Sequence, residues 1–478
     1  MTIMLPDGAA ASYDSNQTMG ELHRETSCAD ASAPIPRMRI SRRSLRDGNK
    51  TLSRFSYNAG IMPRIDPERL LSDLRELRSI GAQGIGVVRP AFSAKDMQAR
   101  RWLAARYEDA GLLATIDGVG NVLGRSRKAG RALLVGSHSD TQPTGGWLDG
   151  ALGVIYALEV ARALGADSAT RELPLDIVSF QDEESRFLGC LGSRSLIGAL
   201  TPEMEQGATD RDGTALADAL AQAGLAQAPR LRLSRERYAG FFEAHIEQGP
   251  TLEDTGKRIG VVTGIVGLRG IRFTLRGQQN HAGTTMMARR RDAAAALYEL
   301  AHRINQEFPG VAAERSVWTM GHLRIEPNAA SIVPGYAELD LQFRDAAEAP
   351  LEAFTEVAQR IVADMNARGG VRIEATPARA PIAPTQMDAG LRAHLETSAE
   401  KHAPGKWMRL PSGAFHDAGI ISACLPAAML FIPSIGGISH DFAEDSREDD
   451  IVLGCQVLAD AVAAGAAAAN AAAANAAR

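Results

Sequence analysis

The chain has 478 residues, more than one hydrophobic core usually organises, so two domains are expected. Its 45% hydrophobic and 23% charged content is that of a soluble globular protein, and a net charge of -5 gives no reason to expect a nucleic-acid or membrane partner. The four cysteines (Cys28, Cys190, Cys424, Cys455) lack CxxC spacing, no apolar run reads as a membrane span, and no apolar stretch follows the arginines of Ser41–Arg46 as an export signal would need; a reducing, cytoplasmic setting is expected.

Residues 1–45 are small, polar and irregular, and read as a disordered extension whose Arg37–Arg46 cluster is a solvated run. From Asp66 the pattern is helical, with Pro67 at the start and Leu70, Leu71, Leu74 and Leu77 on one face. Ser93 caps a second helix, Ala94–Ala110, closed by Gly111. Strands are expected at Leu112–Ile116, Gly120–Gly124, Ala132–Val135 and Leu175–Phe180, with a helix from Gly153 to Leu164. Strands alternating with helices predict a helix-covered, mixed but mainly parallel sheet. Near residue 260 the texture changes. Arg258–Arg276 alternates like exposed strand, then come a helix at Arg291–Glu307, strands at Val317–Glu326 and Tyr336–Phe343, a helix at Leu351–Arg368 and a strand at Val371–Ala375. That order is β-α-β-β-α-β, a ferredoxin-like α+β insert with one exposed sheet face. The expected domains are therefore 46–261 with 379–478, and the insert 262–378. The Ala-rich C-terminus reads as a helix with a fraying end.

The chemistry concentrates where apolar strands run into loops. In Gly136–Gly150, His138 and Asp149 stand eleven residues apart around a Gly/Pro/Thr loop. Neutral imidazole and carboxylate suit zinc- or manganese-like ions, and ligands gather beyond the carboxyl ends of strands in α/β sheets. By itself the pair also fits a capping Asp and a hydrogen-bonded turn His. Gln181-Asp182-Glu183-Glu184 puts three acids at a strand end, where they repel unless a cation is near. One carboxylate can hold an ion while its neighbour takes a proton from water. His245 and Glu247 alternate on a strand that ends in Gln248-Gly249-Pro250, and Phe431–His440 is another apolar strand entering a Gly-rich loop. Three of ten histidines (138, 245, 440) thus close apolar strands. His281, in a small-residue turn of the insert, is a substrate-closing electrophile or a hydrogen-bonded turn histidine. Asn328 and Arg344 are candidates to grip a carboxylate, Arg through its bidentate fork, or else surface turn residues.

These segments, with Arg186-Phe187, His281–Thr285, Arg290, Asp292, Pro411–Ala414, His416-Asp417 and Ser439-His440, resemble the amidase/hydantoinase/carbamoylase family of dinuclear-metal hydrolases, relatives of the dizinc exopeptidases. That family includes N-carbamoyl-L-amino-acid hydrolase, β-ureidopropionase, allantoate amidohydrolase and ureidoglycolate amidohydrolase. The resemblance spans roughly residues 66–465 in order. It implies that Asp149 bridges two divalent ions, Zn2+ or Mn2+, that His138 and His245 complete one site, and that Glu184 and His440 complete the other. It implies Glu183 as general base and His281 as an oxyanion donor reaching the partner's site in a homodimer. Gln248, Asn328, Arg344 and His416 are implied substrate contacts, and the insert is the implied dimerisation and lid domain. Where the family usually has Glu-Glu-Gly-x-Arg-Phe, this chain is one residue short. Counting back from Arg186 would shift the roles to Asp182 and Glu183; Glu183/Glu184 is preferred because the strand before them fixes which side chains reach the sheet edge. Met286 and Phe442 stand where Pro is common, and Phe415 where Gly is usual.

The expected activity is metal-dependent hydrolysis of the carbamoyl C–N bond of an N-carbamoyl-L-amino acid, a small ureido acid. Allantoate or ureidoglycolate is the alternative substrate, since each also sets a ureido group beside a carboxylate. A non-catalytic metal-dependent binding protein would need no spare carboxylate beside its ligands, so Glu183 next to Glu184 argues against it.

Overall fold

The computed structural model describes residues 63–476. The expected extension 1–45, its arginine cluster and Cys28 lie outside the described residues. The first helix, Pro67–Ser79, begins as anticipated. The Asp66 carboxylate accepts the Glu68 and Arg69 N–H groups, and Leu70, Leu74 and Leu77 are buried along one stripe. Ser93 caps Ala94–Asp109 in the same way.

Nine strands form the larger sheet. Its order is Thr385–Gln386, Ile259–Ile265, Ala427–Ile432, Tyr238–Ile246, Ala132–His138, Leu175–Phe180, Val122–Arg125, Leu113–Ile116, with Trp407–Ser412 also pairing on Ile259–Ile265. The central run from Ala427–Ile432 to Leu175–Phe180 is parallel. The expectation of a mainly parallel sheet needs correction, because four pairings are parallel and four antiparallel. The antiparallel ones lie on the flanks, where a tight turn, 117–121, joins Leu113–Ile116 to Val122–Arg125.

One face of this sheet carries Pro67–Ser79, Ala151–Ala166, Ala389–His402 and Glu448–Ala476. Ala151–Ala166 is apolar almost all round because the sheet lies on one side and two helices on the other. Glu448–Ala476 contains a stretch of mean hydropathy 1.8, enough by length and composition to cross a membrane. Here 67% of that stretch is buried, with Ile451, Cys455, Leu458 and Val462 in the shared core, so packing accounts for its apolarity. Short helices, Leu191–Ile197 and Asp417–Ile421, cover part of the opposite face.

A second, four-stranded antiparallel sheet runs Val317–Glu326, Tyr336–Asp345, Gly267–Arg276, Arg372–Pro377. Helices Ala293–Glu307 and Glu348–Ala367 pack on one face around a separate core, in which the Phe308 and Phe354 rings stack 4.5 Å apart with Phe343 and Trp318 at their edges. Val317, at 56% exposure, pairs with Arg344 and stands on the uncovered side. This is the anticipated α+β order. One boundary moves, however: Ile259–Ile265 is buried and belongs wholly to the larger sheet, so the change of sheet falls at Val266, between Ile265 and Gly267, rather than at 262. Its glycines are spaces for neighbours, not marks of exposure. A methyl group on Gly260 would lie 2.6 Å from Leu410 Cδ2, and one on Gly264 2.6 Å from the Thr385 carbonyl.

Candidate active site

Three parallel strands end at one edge of the larger sheet and deliver the site. His138 is the last residue of Ala132–His138, and His245 is the penultimate residue of Tyr238–Ile246. The loop after Ala427–Ile432 carries His440. Asp149 arrives through Gly150, which has φ +64 and opens helix Ala151–Ala166. A side chain at Gly150 would place its Cβ 2.4 Å from the His138 ring, so only glycine lets the backbone pass beneath that imidazole.

The five expected ligand residues are gathered in one place. Asp149 Oδ1 lies 3.0 Å from His245 Nε2 and 3.5 Å from His138 Nε2, while Asp149 Oδ2 lies 3.2 Å from His440 Nε2. Glu184 Oε2 is 3.6 Å from the same His440 nitrogen. The residues fall into two groups sharing Asp149, His138/Asp149/His245 and Asp149/Glu184/His440, with candidate ligand atoms in each within 4.8 Å of one another. Glu183 belongs to neither group, yet its Oε2 is 3.8 Å from His138 Nε2. Asp182 faces elsewhere. It sits at φ +55, and its carboxylate accepts the N–H groups of Arg186, Phe187 and Leu188 at 2.6, 3.0 and 2.9 Å, which ties the loop and leaves Glu183 and Glu184 toward the cavity.

Surrounding groups fix the donor set. His138 Nδ1 donates to the Asp140 carbonyl at 3.0 Å, and His245 Nδ1 to the Ile246 carbonyl at 2.8 Å. A carbonyl only accepts, so both Nδ1 atoms carry hydrogen and both Nε2 atoms face Asp149. Glu444 accepts the Leu148 and Asp149 N–H groups at 3.2 and 3.0 Å and the Ser439 hydroxyl at 2.9 Å, bracing the loop that carries Asp149. Gln248 Nε2 donates to Asp149 Oδ2 at 3.0 Å, and Gln142 Nε2 to Glu184 Oε2 at 2.7 Å. Gln248 Oε1 is buried without a hydrogen-bond donor.

The electrostatics are those of a site short of positive charge. Burial, reinforced by neighbouring acids, pushes Glu183 well above the ordinary carboxylate range and Glu184 up to about 7. Burial would raise Asp149 too, but hydrogen bonds to the three imidazoles outweigh it and hold that carboxylate well below its usual value. Burial works against charge on His138, yet Asp149 and Glu183 lift it well above normal. A divalent cation in each group would let all these carboxylates ionise together, so the residues fit such ions.

The remaining expected residues divide. Gln248, Arg344 and His416 line the same cavity of about 430 Å3 as the ligand cluster. His416 is buried with its ring centroid 4.6 Å from that of His245, its Nε2 is 2.9 Å from Ser412 Oγ, and burial holds its pKa well below the usual histidine value. Arg344 donates to the Gly413 carbonyl at 3.0 Å. Phe415 also lines the cavity, against helix Asp417–Ile421. His281 and Asn328 are exposed on the smaller domain, outside the residues lining this cavity. Sequence reasoning missed Glu444, Asp140 and Gln142. Two lie within or beside the His138/Asp149 loop, and Glu444 is marked only by its acidic neighbours after Ser439-His440.

Residues 134–464 match the family described as Peptidase family M20/M25/M40. The chain is 35% identical over 411 residues to N-carbamoyl-L-amino acid amidohydrolase of Geobacillus stearothermophilus, covering 82% of this chain and 97% of that protein. It is 33% identical over 384 residues to allantoate amidohydrolase of Bacillus subtilis, covering 78% and 92%. A crystal structure of an amidase (hydantoinase/carbamoylase family) from Burkholderia phymatum superposes with TM-score 0.81 at 52% identity, covering 86% of this chain and all of that one. With its strand-end imidazoles and carboxylates in place, the chain belongs to the M20/M25/M40 family, among the amidohydrolases of the hydantoinase/carbamoylase type.

Proposed function

We propose that the protein hydrolyses the carbamoyl C–N bond of an N-carbamoyl-L-amino acid, giving the amino acid, carbon dioxide and ammonia. The observation that carries this reading is the sharing of Asp149 between two ligand groups with Glu183 left over beside them. A ligand set with a spare buried carboxylate is what hydrolysis needs and what metal storage or sensing does not. His138 and His245 with Asp149, and Glu184 and His440 with Asp149, would each hold one divalent ion, zinc or manganese. When bound, these ions supply Lewis acidity toward water and the ureido carbonyl. Glu183 takes the proton of the attacking water and passes it to the leaving nitrogen. Arg344 pairs with the α-carboxylate through its planar fork, and Gln248 and neutral His416 orient the ureido group.

His281 and Asn328 are assigned to substrate contact from a second copy of the chain, since both are exposed and neither is among the residues lining this chain's own cavity. The smaller domain, 262–378 from its sequence texture and from about Val266 by its strands, is then the dimerisation and lid domain. Its edge strand Val317–Glu326 is unpaired on one side among the described residues and offers hydrogen-bonding groups to a copy of itself across a two-fold axis. Free Cys190, Cys424 and Cys455 fit the cytoplasm.

The test is ammonia release from N-carbamoyl-L-amino acids, N-carbamoyl-β-alanine, allantoate and ureidoglycolate. Protein is stripped with chelator and then reloaded with Zn2+ or Mn2+. Turnover of the carbamoyl amino acids only after reloading is expected. Turnover confined to allantoate or ureidoglycolate would replace the substrate assignment, and turnover untouched by chelation would overturn the metal assignment.

A further inference from the structure

About half of the smaller domain's arginines are paired with carboxylates. Arg269, Arg272, Arg303, Arg324, Arg360 and Arg368 each meet a carboxylate. Two arginines on its cavity wall do not. Arg344 is held by neutral acceptors alone. Besides Gly413, the Gln342 amide, turned with its oxygen toward the guanidinium, accepts from Nε and Nη2 at 3.2 and 3.1 Å. Its direction is therefore fixed while its charge is left unpaired. Arg379 lines the same cavity and has no carboxylate partner among the described residues. The nearby Asp340 carboxylate is occupied by Arg272, at 2.7 and 2.6 Å.

Arg379 is also positioned by its backbone. Ala378 N–H donates to Gly270 O at 2.9 Å, and Ile382 exchanges hydrogen bonds with Leu268 at 2.8 and 2.9 Å. The segment between these anchors is pinned to the strand Gly267–Arg276, and the Arg379 stem crosses Gly270, where an added methyl group would lie 3.5 Å from its Cγ. Burial and the neighbouring Arg379 charge both lower the Arg344 pKa, so the two cations are close enough to repel on that wall. On the opposite wall Arg194 and Arg211 also lack a carboxylate within ion-pair distance among the described residues. A single α-carboxylate engages one fork bidentately and leaves the second cation uncompensated. An unpaired, anchored pair of guanidiniums is the complement of two anionic groups on one ligand.

We infer that the preferred substrate is a ureido acid with a second carboxylate on its side chain, Arg344 receiving the α-carboxylate and Arg379 the other. The inference rests on the ureido-acid reading above. It makes Arg379 a specificity-determining residue and requires no change in the hydrolytic step, since the side-chain carboxylate stays intact.

The experiment compares kcat/KM of the metal-loaded full chain for N-carbamoyl-L-aspartate and N-carbamoyl-L-glutamate with that for N-carbamoyl-L-alanine and N-carbamoyl-L-leucine. The diacids are expected to be preferred by about tenfold or more. Arg379→Gln is expected to abolish this preference, lowering the diacid-to-monoacid ratio about tenfold or more, the loss of one charge-assisted contact. Arg344→Gln should depress both classes together. Arg379 is exposed, so its replacement leaves both cores intact. Wild-type inhibition by a dicarboxylate against a monocarboxylate of matched length gives the same comparison without a variant. A wild-type ratio at or below one overturns the inference, as does a ratio that Arg379→Gln leaves unmoved or an equal loss for both classes. Absence of turnover on every ureido acid would instead sink the underlying reading, and this one with it.

Discussion

Glu183→Gln separates the hydrolytic group from the ligand groups. The Glu183 side chain is 10% exposed, lies 3.8 Å from His138 and receives the Cys190 thiol at 3.6 Å, but stands in neither ligand group. Glutamine keeps its shape and loses only the capacity to carry a proton. General-base catalysis contributes about 10²–10⁴ in rate, or about 3–5 kcal/mol of barrier, so kcat should fall by that factor. Metal content should stay at the wild-type level. Folding should not suffer, because burial already opposes the charged form of Glu183 and a neutral amide escapes that penalty. The assay pairs ammonia release with metal quantification and a thermal melt on the same preparation. Glu184→Gln, which removes a ligand atom, should lose metal instead. A Glu183→Gln protein that retains more than about a tenth of wild-type kcat would refute the assignment. So would one that loses activity only in proportion to lost metal.

Gly150→Ala should cost about 1–3 kcal/mol through its positive φ and also displace the His138 ring, so metal affinity and stability fall together; wild-type metal binding by this variant would contradict the close approach described. Phe354→Ala, in the aromatic core of the smaller domain, should cost about 3–5 kcal/mol of that domain's stability, read by denaturant titration; an unchanged midpoint would show that the ring carries little packing. If His281 serves the partner's site, mixing inactive His281→Ala with inactive Glu183→Gln and allowing subunits to exchange should restore about a quarter of wild-type activity, since half the dimers are mixed and each has one complete site. A mixture that stays inactive after exchange, verified by mass spectrometry, would place His281 elsewhere.

The site was legible where a local pattern coincides with a topological consequence. His138, His245 and His440 each follow an apolar run, and an apolar run in an α/β chain is a buried strand whose end opens on the ligand edge. Glu183 and Glu184 were readable for the same reason, while the role of Asp182 as a loop tie depends on three N–H groups that no spacing rule reveals. Strand direction at the sheet flanks was not legible, because Leu113–Ile116 and Val122–Arg125 are short and either sense would bury the same side chains. Ile259–Ile265 was misread because its glycines mimic the sparse pattern of an exposed strand. Glu444 lies 295 positions from Asp149, and nothing local ties it to the carboxylate it braces. Arg379 is one arginine among many until its place on the cavity wall beside Arg344 sets it apart.

Two stretches of chain cross between the sheets, and they cross side by side. Ile265 pairs with Thr385, Leu268 with Ile382, and Gly270 with Ala378. The smaller domain is thus fastened along a ribbon rather than at a point. Arg344, on Tyr336–Asp345, and Arg379, beside Gly270, are both tied through Gly267–Arg276 to the same sheet. If the smaller domain opens as a lid, a fastening of this kind favours bending over twisting, and a single pair of distance labels, one per domain, is expected to follow it.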